Sequence, residues 1–173
     1  MSDTLARWNR MPGAEAENEI LACCGSRAWA RGVVSGRPFV SESALLAVSD
    51  ETWRGLSEVD WMEAFRSHPR IGESHAEPPP IVSTKRSAEW SEQEQSGLAA
   101  VSDAIKIALA EANREYEQRF GHIFIVCATG RTAADILGAL RQRLQNDPRT
   151  ELHEAAEQQR QITQIRLRKW LAE

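Results

Sequence analysis

His68-Pro69-Arg70-Ile71-Gly72 and Ser91-Glu92-Gln93-Glu94-Gln95 place an imidazole and a carboxylate in short stretches whose backbone context would hold each one still. Proline disfavours the helical region for the residue before it. His68 is therefore predicted to end the helix suggested by Trp61, Met62, Ala64 and Phe65, and to project from a restrained loop. An imidazole with an unperturbed pKa of ~6.5 accepts or donates a proton at neutral pH, which makes His68 a candidate acid–base group. Ser91 and Glu94 fit the S-x-x-E capping box, in which the serine accepts from the first turn and the glutamate reaches back. A carboxylate in a first turn is favoured as an anion by the helix dipole and free amides. Both stretches also have a plain structural reading, as a helix exit and a helix cap.

The elements that must position these groups read as helical almost throughout. Pro12 suits a first helical position, and the segment 14–24 carries Ile20, Leu21 and Cys24 on one side. A second helix is predicted over 28–34 and is broken by Gly36-Arg37-Pro38. Ser41 or Ser43 can cap a third containing Leu45, Leu46 and Val48, and Asp50 can start another short one. Glu77-Pro78-Pro79-Pro80 excludes regular structure, so residues 72–88 read as a long loop over the site. From Ser91, the apolar positions Leu98, Val101, Ile105, Leu109, Ala112 and Tyr116 predict the longest helix, stopped by Gly121. Thr132-x-x-Asp135 caps a helix through Ile136, Leu137, Leu140 and Leu144. Asn146-Asp147-Pro148 ends it, and Thr150 opens the terminal helix that carries Arg166.

Residues 123–128 are the exception, because β-branched and aromatic side chains crowd a short run that looks extended in a chain with no second convincing strand. Its main-chain groups need partners. Neighbouring side chains and water can supply them, or a ligand rich in N–H and C=O groups can. The fold class expected is all-α, a single compact multi-helix domain spanning 1–173 with a short extended segment lining the site.

Composition narrows the function classes. A chain of 173 residues with 42% hydrophobic and 27% charged residues can bury one good core, and no apolar run approaches a membrane span. Residues 1–13 lack the apolar core of a secretory signal, so the cytoplasm is the expected compartment. A net charge of −4 gives no global attraction to nucleic acid or to an anionic membrane. Cys23, Cys24 and Cys127 sit among apolar or small neighbours and read as reduced packing thiols. The histidines at 68, 75, 122 and 153 show no zinc spacing, so a metal-free site is expected.

Taken in order, the His-Pro, S-x-x-E-Q, Phe120-Gly121-His122-Ile123-Phe124-Ile125-Val126-Cys127-Ala128 and Ile162-Thr163-Gln164-Ile165-Arg166-Leu167 blocks resemble one family. It is the 2-oxo-4-hydroxy-4-carboxy-5-ureidoimidazoline (OHCU) decarboxylases of urate breakdown, whose product is (S)-allantoin. The resemblance covers nearly the whole chain and is weakest over the first forty or so residues. It implies that His68 is catalytic with Glu94, and that Pro69, Ser91 and Gln95 line the substrate. It also implies that Phe124, Ile125, Val126, Cys127 and Ala128 contact the substrate largely through main chain, and that Arg166 supplies positive charge. It further implies a homodimer; no cofactor is expected, because metal spacing and phosphate-cradling motifs are missing and the substrate it implies carries its own electron sink. His122-Ile123 departs from the aromatic residue and proline that many relatives carry there, and Arg70-Ile71 departs as well.

OHCU bears its carboxylate on the carbon that also carries a hydroxyl, in a ring able to accept the electrons released with carbon dioxide. That chemistry needs a positioned proton and charge stabilisation rather than an added electron sink. Two other classes remain: a non-enzymatic helical interaction domain, and a metal-free hydrolase of a urate-derived ring. Arg166 without the resemblance reads as a solvated arginine on a face shared with Arg160 and Lys169.

Overall fold

The computed structural model describes residues 2–72, 85–96 and 102–173, among which there are nine α-helices and no strand. They are α1 (Asp3–Arg10), α2 (Gly13–Cys24), α3 (Arg27–Ser35), α4 (Glu42–Arg54), α5 (Glu58–Arg66), α6 (Lys85–Glu94), α7 (Asp103–Phe120), α8 (Ala133–Arg143) and α9 (Pro148–Leu171). The fold is all-α. By contacts the chain divides into two compact units, residues 1–64 with 160–173, and residues 65–159.

Tryptophan builds the core of the first unit. Trp8, Trp29 and Trp170 are fully buried with Leu5, Ile20, Leu45 and Leu167. The Trp8 ring stacks on Phe39 at 6.1 Å and meets Trp170 edge-on at 5.6 Å, while the Arg37 guanidinium lies 5.0 Å from its face. Buried indoles need acceptors. Trp8 Nε1 donates to the Ala16 carbonyl at 3.0 Å and Trp170 Nε1 to Glu19 at 3.2 Å. Serine caps recur: Ser2, Ser26 and Ser41 accept from the first turns of α1, α3 and α4. Helix α1 has no counterpart among the expected elements, although Ser2 and the spacing of Leu5 and Trp8 encode it. The short helix expected from Asp50 is instead the continuation of α4. There the Asp50 carboxylate takes Arg160 Nη1 and Gln164 Nε2, both at 2.8 Å.

The second unit packs Leu109, Tyr116, Ile136, Leu140 and Leu144 from α7 and α8 against Ile71, Phe124 and Val126 of the non-helical stretches. Helix α7 ends on Gly121, whose φ of +76° suits glycine alone among common residues. The capping box expected at Thr132 and Asp135 is present in full. Helix α9 begins two residues earlier than Thr150 suggests. Asp147 accepts from the amides of Arg149 and Thr150 at 3.1 Å, and Pro148 takes the first helical position, where its missing N–H costs nothing.

The main correction concerns Ser91 and Glu94. They do not open a helix: Ser91 lies inside α6, which ends at Glu94, and the next α-helix among the described residues starts at Asp103 behind Ser102. The Ser91 hydroxyl donates back to the Ser87 carbonyl at 3.0 Å, the bond a mid-helix serine makes. Glu94 therefore sits at the end of a helix, and the first-turn dipole argument does not apply to it. The loop expected over 72–88 is also corrected at its end, since Lys85 to Ala88 are helical. Residues 73–84, with the triple proline, lie outside the described residues, as do Leu98 and Val101.

Candidate active site

Helix α5 ends just before the His-Pro pair, as the backbone restriction requires. The His68 amide closes the last turn on the Phe65 carbonyl at 3.1 Å, and Pro69 turns the chain out. His68 is half-buried, with its Nε2 atom shielded from solvent.

Three side chains, two from α7 and one just past α6, then pin the loop residue by residue. Arg70 pairs with Glu117 of α7 in a two-pronged geometry, at 2.5 and 2.9 Å. Asn113, buried on the same helix, donates to the Ile71 carbonyl at 3.0 Å, and the Ile71 side chain enters the core. Gln95, just past α6, accepts the Gly72 amide at 3.1 Å. Gly72 itself has φ +79°. Gln95 therefore touches the His68 loop directly, and it does so as a support. Asn113 and Glu117 were not singled out from sequence, although a buried-face asparagine within the Leu109–Ala112–Tyr116 stripe is a readable signal.

Residues 123–128 form no helix or strand, and their polar groups follow a period of two. The Ile123 carbonyl accepts from His122 Nδ1 at 3.0 Å, the Ile125 carbonyl from Arg143 Nη1 at 2.7 Å, and the Cys127 amide donates to Gln158 Oε1 at 2.9 Å. In an extended chain, alternate residues present their N–H and C=O groups to one edge. The odd-numbered edge is held by protein side chains. On the even-numbered edge, the N–H and C=O groups of Phe124 and Val126 make no hydrogen bond among the described residues. Both residues are buried, and an unmet buried amide or carbonyl costs on the order of 1–3 kcal/mol unless solvent or a ligand meets it.

Arg143 is itself fixed. Its guanidinium meets Glu151 at 2.5 and 2.8 Å and lies 4.6 Å from the Phe124 ring centre, while Glu151 also accepts from Tyr116 and, at 2.8 Å, from Asn146. Burial, above all, pushes the Tyr116 phenol up, so it stays a donor. A cavity of about 320 Å³ borders Val126, Arg143 and Gln158, together with Arg131, Gln142 and Glu154. Among the polar groups expected from sequence, His68, Ser91, Glu94, Gln95 and Arg166 do not line it.

Glu94 stands close enough to Cys127 to act on it electrostatically. Burial pushes the Cys127 thiol up, and Glu94 adds in the same direction, which argues for a packing thiol rather than a nucleophile. Cys24 is pushed up to about 12, chiefly by burial. Arg166 belongs to the first unit, where it is 2% exposed and donates to the Ala22 carbonyl at 3.4 Å, so the solvated-arginine reading does not hold. Among the described residues no group of three or more His, Cys, Asp or Glu could hold a metal ion, and no helix is long and apolar enough to cross a membrane.

The fold and site define an all-helical protein with a pinned His-Pro loop and a buried, non-helical main-chain run over residues 123–128. The OHCU decarboxylase family profile matches residues 9–168, and the chain belongs to that family. It is 36% identical over 88% of its length to the uric acid degradation bifunctional protein TTL of Arabidopsis thaliana, of which it spans 46%. It is 30% identical over 80% of its length to the OHCU decarboxylase of Amia calva, covering 77% of that protein. A crystal structure of an OHCU decarboxylase in the presence of (S)-allantoin superposes with a TM-score of 0.75 at 34% identity, covering 90% of this chain and 99% of that one. An (S)-allantoin synthase structure, 19% identical, shares the fold with a TM-score of 0.69 over 96% of this chain and 53% of that one.

Proposed function

We propose that the protein decarboxylates OHCU to (S)-allantoin and carbon dioxide, as a carbon–carbon lyase of urate catabolism that needs neither metal nor organic cofactor. The observation that carries this reading is the buried main-chain edge at Phe124 and Val126, whose N–H and C=O groups make no hydrogen bond among the described residues, in a chain of this family. Ureido and ring amide groups match such an edge in hydrogen-bonding pattern.

In the reaction, the bond between the ring carbon and its carboxylate breaks. The electron pair passes into the ring, carbon dioxide leaves, and a proton is delivered to the carbon left behind. His68, held at a helix exit beside Pro69, is assigned that proton transfer. Glu94 would bind the substrate hydroxyl or ureido N–H groups and disfavour a second negative charge nearby. Ser91 and Gln95 would orient the ring, Gln95 partly by fixing Gly72, and Arg166 would answer the substrate's anionic group. The 123–128 main chain holds the ring while the proton arrives from one face. The reading includes action of the two units as one catalytic domain, a homodimer, and a cytoplasmic location.

Freshly generated OHCU, made from urate by the upstream enzymes, tests the reading in deuterated water. Carbon dioxide release should outpace the buffer, with early product predominantly S by circular dichroism and deuterated at the new C–H by proton NMR. Release no faster than buffer would favour a binding domain, and substrate loss without carbon dioxide a hydrolase. Racemic product from the first time point would remove the one-sided proton delivery.

A further inference from the structure

At residues 125 and 127 the odd-numbered edge is held by two long side chains from helices. Arg143, at the end of α8, donates to the Ile125 carbonyl at 2.7 Å, and Gln158, on α9, accepts the Cys127 amide at 2.9 Å. Neither holder is free to wander. Arg143 is 8% exposed and locked to Glu151, and Gln158 is 7% exposed with its Nε2 donating to Glu154 Oε1 one turn earlier at 3.1 Å. Because the polar groups of an extended chain alternate between edges, fixing 125 and 127 also fixes the direction of 124 and 126.

We propose that Gln158 and Arg143 are positioning residues for the reaction: by clamping the odd-numbered main-chain edge they set the direction in which Phe124 and Val126 present N–H and C=O to the substrate. The inference rests on the proposed substrate role of residues 124–128. It assigns function to two residues whose side chains act only through that backbone. A displacement on the order of 1 Å in a substrate-positioning group costs up to ~10²-fold in rate, so the clamp should be visible in kinetics.

The test begins with Gln158→Met, which keeps the length of the side chain and removes the acceptor for the Cys127 amide. In a folded variant, kcat/KM for OHCU should fall tenfold or more, with KM rising, because ring binding is what the edge supplies. The exchanged pair Glu154→Gln with Gln158→Glu keeps an acceptor for Cys127, the bond between the two side chains and the total charge. It should return kcat/KM to within about threefold of wild type. Should Gln158→Met fail to fold, Arg143→Lys serves in its place: its single nitrogen retains charge against Glu151 but cannot also hold the Ile125 carbonyl, and a similar fall is expected. A folded Gln158→Met or Arg143→Lys enzyme with wild-type KM and kcat overturns the clamp while leaving the decarboxylase reading standing. A wild-type protein that does not accelerate OHCU decay overturns both.

Discussion

His68 and Glu94 occupy contrasting settings, and the contrast decides what their substitution can report. His68 follows the last turn of α5, which its amide closes on the Phe65 carbonyl, and asparagine keeps that amide, so His68→Asn should fold normally. If the imidazole transfers the proton, turnover should drop on the order of 10²-fold or more, measured by carbon dioxide release in a variant whose circular dichroism matches wild type. Glu94→Gln becomes a cleaner probe than the sequence suggested. The capping box that would have confounded it does not exist, since Ser91 lies inside α6 and bonds to Ser87. Loss of one charged hydrogen bond to substrate should cost about 10- to 100-fold in kcat/KM with little change in melting temperature. Wild-type kinetics in either folded variant would remove that residue from the chemistry.

At the scale of elements, the loop 68–72 owes its shape to what α6 and α7 place against it rather than to its own sequence. Gly72 is the one position where the backbone imposes residue type, because φ +79° is strained for any side chain, although a Cβ there would meet only Leu109 at an ordinary 3.5 Å. Gly72→Ala should therefore cost about 1 kcal/mol through backbone strain alone, lowering the melting temperature by roughly 2–4 °C, and should reduce kcat by loosening the His68 loop. An unchanged melting temperature would mean the loop relaxes freely. The His-Pro exit, the Thr132 capping box and the non-helical run 123–128 were legible because each depends on neighbours in sequence. The boundary at Ser91 was not, because a capping-box pattern in the middle of a helix is indistinguishable from one at its start until packing selects between them. The clamp of Arg143 and Gln158 was equally hidden, since nothing local marks which main-chain group a helical side chain will reach across 18 or 31 residues.

At the scale of the whole molecule, the buried polar groups predict how the protein meets acid. His122 lies against the rings of Phe65, Tyr116 and Phe120, with Arg143 and Glu151 acting on it in opposite senses, and burial is the largest influence, lowering its pKa below 6.5. A group that is less basic folded than unfolded binds more protons when unfolded. Its stabilisation is therefore complete above about 6.5 and is lost as pH falls through the depressed folded value. Asp135 and Asp147 follow the same sign in a lower window. Hydrogen bonds, chiefly from the Thr132 and Thr150 side chains, hold both carboxyls below 3.8, so the caps of α8 and α9 persist above that pH and fail beneath it. The melting temperature should accordingly decline as pH falls below about 6.5 and decline again below about 3.8. His122→Gln keeps a donor for the Ile123 carbonyl but has nothing to titrate, so it should flatten the upper decline and leave the lower one intact. Scanning calorimetry of the two proteins across that range makes the comparison, and an upper slope that survives in His122→Gln would show that another group carries it.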